Sequence, residues 1–311
     1  MQTKAKKRIG ILRGGREQYA KSLARGGDVI LHILENLADK YKVIDIFVDK
    51  NHIWHANGVP INPGALLHKA DLVWNISHPS FNNILDELSI PNIGAPAFSE
   101  GISASREMLR EHMAQIGVSM PRYMVIPVYQ KDFDGSRERY SIKKAKEVFE
   151  KFGSPWTVRS FTPEANMGIH LAKTFNELVA AIEDGTNHEK SILVEEFISG
   201  IAASVHSVPG FRRQELYVFP PINGSIGKST ASDFPPSKKE KLSVLASNVH
   251  SHLGAGHYLK SDFIIANNGQ IYLSNIEFVP DLRPDSHFGE ACESVGAKMH
   301  HVVEHILEQV K

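Results

Sequence analysis

The chain has 311 residues, 42% of them apolar and 23% charged, and its 35 basic side chains balance 35 acidic ones. That composition excludes a disordered, collagenous or coiled-coil chain, and the balance leaves no global field favouring nucleic acid or a membrane surface. The single cysteine, Cys292, excludes an internal disulfide and a multi-cysteine zinc site. No apolar run approaches the ~20 residues of a membrane span, and residues 9–12 are too few for the apolar core of a signal peptide. A cytoplasmic protein is expected, of two or three domains, because a single core usually stops growing near ~250 residues.

Residues 8–13 (RIGILR) read as a strand that breaks into Gly14-Gly15. A helix follows with Val29, Ile30, Ile33, Leu34 and Leu37 on one face. Residues 42–48 and 70–76 read as further strands, and 81–88 as a helix. This alternation predicts an α/β domain with a parallel sheet and helices on its faces. Such sheets bind ligands beyond the carboxyl ends of their strands, where Gly14-Gly15 and His78-Pro79 fall.

From residue 103 the pattern changes. A helix is expected over 105–117 with Ser105 as N-cap, then a strand over 123–128, a helix over 142–152 and a strand over 156–159. Thr174 caps a helix over 175–182. The polar stretch 184–190 is a candidate boundary before a strand over 191–198. Four prolines between 219 and 239 indicate a long loop. After a helix over 241–252 come two strand-like runs, 258–266 and 270–277, flanking Asn267-Asn268-Gly269. The expected organisation is three parts: 1–100, a parallel α/β domain; 101–187, a central α+β part; and 188–311, a C-terminal part carrying this hairpin.

Asn-Gly predicts a two-residue type I′ turn, with positive φ at both central residues. Centred on Asn268-Gly269, that turn sets Asp262 opposite Asn275 and Lys260 opposite Glu277. All four then share one face of the ladder, with facing Cβ atoms about 5 Å apart. Two carboxylates and an amide oxygen in that space suit Mg²⁺, and Lys260 suits a phosphate or an oxyanion. The hairpin by itself also reads as a solvated face with a Lys260–Glu277 ladder pair.

Taken together, these motifs resemble the D-alanine–D-alanine ligase family of the ATP-grasp superfamily over nearly the whole length. The resemblance rests on Gly14-Gly15, on a Val-Glu-Glu-Phe-Ile-x-Gly stretch at 194–200, on the basic strand and loop at 157–168, and on Asp262-Phe263 followed by Asn-x-Glu-x-x-Pro at 275–280. It implies a Rossmann-like N-terminal domain, a two-part ATP-grasp fold with ATP between its second and third parts, and two Mg²⁺ ions (or Mn²⁺) held by Asp262, Asn275 and Glu277. It further implies an adenine clasp at Glu195, Glu196, Phe197 and Ile198, and phosphate contacts from Arg110 and Arg159, which stand where the family has lysines. Lys260 falls on the catalytic arginine. Gly14, Gly15 and His78 fall on the first-substrate loops, and Ser286 on the residue holding the acceptor's carboxylate. The implied activity is ATP-dependent joining of amino acids by a cytoplasmic homodimer that makes a peptidoglycan precursor.

Several residues depart from the family pattern. The last metal motif runs Asn275-Ile276-Glu277, the reverse of the family's Glu-x-Asn. Glu164-Ala165-Asn166 replace a Gly-Ser-Ser loop, Ala202 replaces a ribose-binding Glu, Pro79 replaces a Gly, and the amine-recognising Glu has no counterpart at 17–21. These changes leave open a ligase with another acceptor and a nucleotide-binding pseudoenzyme. Locally, Arg159 also reads as an ion-pair partner, 195–197 as ordinary strand-end polarity, His78 as polar lining and Ser286 as a helix N-cap. Two other motifs are set aside: His-x-x-Glu-His at 301–305 belongs to a packed terminal helix, and Gly227-Lys228-Ser229 lacks the first glycine of a phosphate loop.

Overall fold

The computed structural model describes residues 5–15, 19–129, 135–161, 167–188, 191–224 and 234–310. These form two compact units, one of 1–119 with 201–311 and one of 120–200. Of the expected three parts, 1–100 falls in the first unit, while 101–187 and 188–311 are each divided between the two.

The first unit begins with β1 (Lys7–Gly14), α1 (Tyr19–Asn36), β2 (Tyr41–Val48), β3 (Trp54–Ala56), β4 (Val59–Ile61), β5 (Leu72–Asn75), α2 (Ser80–Glu87), β6 (Asn92–Ile93), α3 (Ala97–Ala104) and α4 (Arg106–Gln115). The sheet order is β4-β3-β2-β1-β5-β6, with β2 and β5 parallel to the central β1 and β6 parallel to β5. The expected parallel core is present. An antiparallel hairpin, β3–β4, extends its edge through Asn57-Gly58, whose φ angles of 49° and 81° are those of a type I′ turn. β1 is central because Ile9, Ile11 and Leu12 are all fully buried.

The second unit holds β7 (Tyr123–Ile126), α5 (Arg137–Lys151), β8 (Trp156–Ser160), β9 (His170–Ala172), α6 (Phe175–Asn187) and β10 (Ile192–Glu196). Its antiparallel sheet runs β7-β10-β8-β9. Trp156, Val158, Ile192 and Val194 pack there against Val148, Leu178 and Ile182 of the two helices. A capping box starts α6, with Thr174 and Glu177 each bonding the other's backbone. The helix continues through the stretch expected to be a loop, because Gly185 and Thr186 are buried and Thr186 Oγ1 donates to the Glu183 carbonyl at 2.8 Å. The strand expected to open the last part is instead β10, at the centre of this sheet.

The chain then returns to the first unit with β11 (Gly200–Pro209), β12 (Leu216–Val218), β13 (Ile222–Asn223), α7 (Pro236–Leu253), β14 (Leu259–Ala266), β15 (Ile271–Glu277), α8 (His287–Ser294) and α9 (Met299–Glu308). The sheet order is β12-β11-β14-β15, with β13 also on β11. One core joins the early and late segments: Ile9, Val29, Ile33 and Trp74 pack in the same cluster as Phe288, Val302 and Ile306. Within α9, His305 faces the Pro209 carbonyl at 2.9 Å, as suits a packed structural helix. Among the described residues, no helix is long and apolar enough to cross a membrane.

Candidate functional site

The hairpin places Lys260 opposite Glu277 and Asp262 opposite Asn275, the register expected from the sequence. Its turn, however, has three residues. Gly269 N–H donates to Ala266 O at 2.8 Å, Ala266 N–H to Gln270 O at 2.8 Å, and Gly269 alone has positive φ, +86°. This is a type I turn closed by a left-handed glycine. It would shift the register by one residue, but Ser274 forms a bulge between Asp262 and Phe263 that shifts it back. The bulge is held from both sides: Ser274 Oγ donates to Asp262 O at 3.0 Å, and Arg106 Nη1 donates to Ser274 O at 3.1 Å.

Asp262 sits in a compact polar cluster. Ser204 Oγ of β11 donates to Oδ1 at 2.6 Å, and Lys260 Nζ lies 3.0 Å from Oδ2. Asn275 Nδ2 approaches Oδ2 at 3.4 Å. His287, the first residue of α8, has Nδ1 3.4 Å from Ser204 Oγ. Below Lys260, Tyr258 hydroxyl and His206 Nδ1 share a 2.7 Å hydrogen bond. Burial, followed by the charges of Lys260 and His287, pushes His206 well below its ordinary pKa, so the floor is neutral.

Glu277 is surrounded by cations from α1. Lys21 Nζ lies 3.2 Å from Oε1 and Arg25 Nη2 lies 2.6 Å from Oε2. Burial alone would raise this carboxyl; Arg25, Lys21 and Lys260 outweigh it and leave the pKa below the usual glutamate value. Lys21 and Arg25 are one helical turn apart, so both project from the same face of α1. Ser204, Arg106, Lys21 and Arg25 were not singled out in the sequence. Of these, only the Lys21/Arg25 spacing is a signal that sequence alone carries.

The donor set suits the expected pair of magnesium ions only in part. An ionised carboxylate offers about four lone-pair sites, and Asp262 has three partners, so it can accept one cation beside the Asn275 amide. Glu277 has lone pairs to spare, but Lys21 and Arg25 set a positive charge against each of its oxygens, which opposes a metal cation there. Among the described residues no group of three or more His, Cys, Asp or Glu side chains can hold a metal. The arrangement fits one ion at Asp262 and Asn275 and does not fit a second at Glu277.

Gly14-Gly15 ends β1 at the carboxyl edge of the parallel sheet. Gly14 has φ +90°, and a Cβ there would stand 2.2 Å from Val48 O. Its N–H donates to Ser22 Oγ at 3.0 Å, and its carbonyl accepts from Ser77 Oγ at 2.6 Å. Beside it, His78 follows β5, with Nδ1 2.7 Å from Ser80 Oγ. Buried Asn75 pins this loop by donating to His78 O and to Asn82 Oδ1, at 3.1 and 2.7 Å. Ser286 caps α8, accepting from Gly289 N–H at 3.2 Å, and is buried; its hydroxyl hydrogen remains available to donate. Arg110 lies in the middle of α4, in the same unit.

The remaining expected residues lie in the second unit. Arg159 Nη2 is 3.3 Å from Glu195 Oε2, and Glu196 binds Arg122 with two contacts of 2.9 Å. At the strand exit, Phe197 N–H donates to Pro155 O at 3.0 Å; its side chain is exposed and that of Ile198 half-buried. Glu164-Ala165-Asn166, Gly227-Lys228-Ser229 and Glu17 lie outside the described residues.

Comparison with known proteins converges on one architecture. The D-alanine–D-alanine ligase of Legionella pneumophila (strain Corby) is 24% identical over 92% of this chain and 90% of its own. That of Desulforudis audaxviator is 22% identical over 97% of both. The solved D-alanyl-alanine synthetase A of Vibrio cholerae superposes with a TM-score of 0.77 at 18% identity, covering 98% of each chain. The chain has the fold of the D-alanine–D-alanine ligases. That fold is ATP-grasp, as the resemblance implied. The D-Ala:D-Ser ligase VanG of Enterococcus faecalis superposes with a TM-score of 0.74 at 16% identity over 98% of this chain and 99% of its own. A Bacillus anthracis D-alanine–D-alanine ligase complexed with ATP gives 0.70 at 18% identity, over 97% and 96%. No family model matches the chain.

Proposed function

We propose that this protein is an ATP-dependent ligase that joins two molecules of D-alanine through an acyl phosphate. The observation that carries the reading is the hairpin face, where Lys260 and Asp262 meet 3.0 Å apart beside Asn275, in a fold shared along the full length with such ligases. The carboxylate of the first D-alanine attacks the γ-phosphorus of ATP, and ADP leaves. The second amino acid's amine then attacks the acyl carbon, and phosphate departs with the oxygen that linked it to carbon.

In this reading Lys260 faces the oxyanion that develops on the acyl carbon, together with a backbone N–H after Pro280. Ser286 holds the acceptor's carboxylate, while Gly14, Gly15 and His78 line the place of the first substrate. Arg110 and Arg159 contact the nucleotide phosphates, and Glu195, Glu196, Phe197 and Ile198 clasp the adenine. Asp262 and Asn275 hold a divalent cation, Mg²⁺ or Mn²⁺, whose contribution when bound is to offset phosphate charge. Positioning and electrostatics carry most of the phosphoryl step. The full-length likeness to ligases, one of them complexed with ATP, supports nucleotide use; the reading also includes a cytoplasmic homodimer that makes a peptidoglycan precursor.

A coupled assay of ADP release across D-alanine, L-alanine, D-serine and D-lactate tests this. ADP release is expected with D-alanine and not with L-alanine, and D-alanyl-D-alanine should appear by mass spectrometry. ADP release with D-alanine only when D-serine or D-lactate is added would reassign the acceptor. No stimulation by any of them would refute the ligase.

A further inference from the structure

Glu277 stands in the row expected to hold metal, yet its surroundings are those of a structural ion pair. Its side chain is 16% exposed and that of Arg25 19%. While Arg25 Nη2 binds the Glu277 carboxylate, its Nη1 donates to the Val279 carbonyl at 2.9 Å. One planar guanidinium therefore bridges the end of β15 and the backbone two residues further on, a task that suits its rigid fork. Lys21 closes on the other carboxylate oxygen. One turn later Asp28 continues this face of α1: burial and then Asp281 raise its carboxyl, with Arg283 and Arg25 opposing. A magnesium ion at Glu277 would need near-ideal octahedral oxygen geometry beside two fixed cations.

We propose that Glu277 is not a metal ligand but the anchor through which Arg25 and Lys21 of α1 fix the segment from Glu277 to Asp281. Arg25 is then a positioning residue: through the Val279 carbonyl it sets the backbone after Pro280, where the ligase reading above places an oxyanion donor. The inference rests on that reading for its catalytic consequence, though not for the anchor itself. It also accounts for the reversed motif. Asn275 stays beside Asp262, where an oxygen donor serves a cation, and the carboxylate moves to the position that α1 can reach.

The test uses the full chain with Arg25→Met, Glu277→Gln, their combination, Arg25→Lys and Asp262→Asn. In thermal unfolding without ligands, each of the first two should lower the midpoint and the double variant should fall no further than the worse single, because one anchor is lost either way. Mn²⁺ binding in the presence of ADP, followed by electron paramagnetic resonance, should stay within about twofold in Glu277→Gln and weaken by about tenfold in Asp262→Asn. Turnover should fall by about tenfold in both anchor variants with the KM for ATP unchanged, and Arg25→Lys should recover only part of it, since it keeps charge without the fork. Additive midpoint losses, or a Mn²⁺ affinity in Glu277→Gln as weak as in Asp262→Asn, would overturn the proposal. A wild-type protein that binds no Mn²⁺ with ADP would count against the ligase reading instead, and the unfolding cycle would still decide the anchor.

Discussion

Two acidic clusters lie on sheet strands in this molecule, and they are built differently. In the second unit Glu195 and Glu196 pair with Arg159 and Arg122, whose side chains are 39% and 51% exposed. In the first unit, Asp262 and Glu277 pair with Lys260 and Arg25, which are largely shielded. An exposed pair such as Arg122–Glu196 contributes about 0–1 kcal/mol, whereas Arg159, itself partly exposed, meets a Glu195 side chain that is only 12% exposed. A shielded pair broken on one side leaves an uncompensated charge and is held far more firmly. The shielded Arg25–Glu277 pair fixes a geometry, and the exposed Arg122–Glu196 pair holds its own less firmly.

Asp262→Asn should break the comparison most severely. It removes the carboxylate that faces both Lys260 and the proposed cation, and kcat should fall by about a hundredfold or more, roughly 2.7 kcal/mol of barrier, in a protein whose circular dichroism is unchanged. Next in size is Glu277→Ala. Leaving Arg25 and Lys21 without their carboxylate should cost about 3 kcal/mol of stability by urea unfolding.

The same anchor gives a pH signature. The folded Glu277 pKa lies below its ordinary value because Arg25, Lys21 and Lys260 together outweigh the opposing effect of burial. Its stabilisation is therefore present above the unfolded glutamate pKa of about 4.3 and lost as pH falls through the folded value. Glu277→Gln should flatten the acid side of the unfolding curve relative to the wild type.

The pairs of the second unit should respond differently. Arg159→Ala should raise the KM for ATP by about tenfold, as expected for losing a charge-assisted phosphate contact, in a protein whose circular dichroism is unchanged. Arg122→Ala should be milder still, within about 1 kcal/mol in unfolding and with no change in the KM for ATP. An Arg122 variant with the larger effect on nucleotide would invert the assignment within the second unit.

The parallel sheet was legible because the apolar-rich stretches of β1, β2 and β5 stand between turn residues, the second unit's β10 because Ile192, Leu193 and Val194 run together, and β8 because Trp156 and Val158 alternate with polar residues. Two Asn-Gly turns, at 57–58 and 268–269, show where legibility ends. Asn57-Gly58 is a type I′ turn, but it joins three-residue strands too short to stand out. Asn268-Gly269 stands between long strands and forms a different turn. The expected register nevertheless appears at the site, because the Ser274 bulge offsets the extra turn residue. Such a bulge depends on Arg106, distant in sequence, which grips the Ser274 carbonyl. That Lys260, Asp262, Asn275 and Glu277 share one face could thus be read from hairpin pairing and alternation. The reach of Arg25 across to Glu277 could not, since it depends on the shared core that joins α1 to α8 and α9.

The acyl-phosphate chemistry can be followed atom by atom. With D-alanine labelled by oxygen-18 in its carboxylate, ATP and Mg²⁺, each turnover should place one labelled oxygen in the released phosphate, detected by mass spectrometry alongside D-alanyl-D-alanine. Labelled L-alanine should give none. Phosphate released without label, at a rate indifferent to D-alanine, would contradict the account.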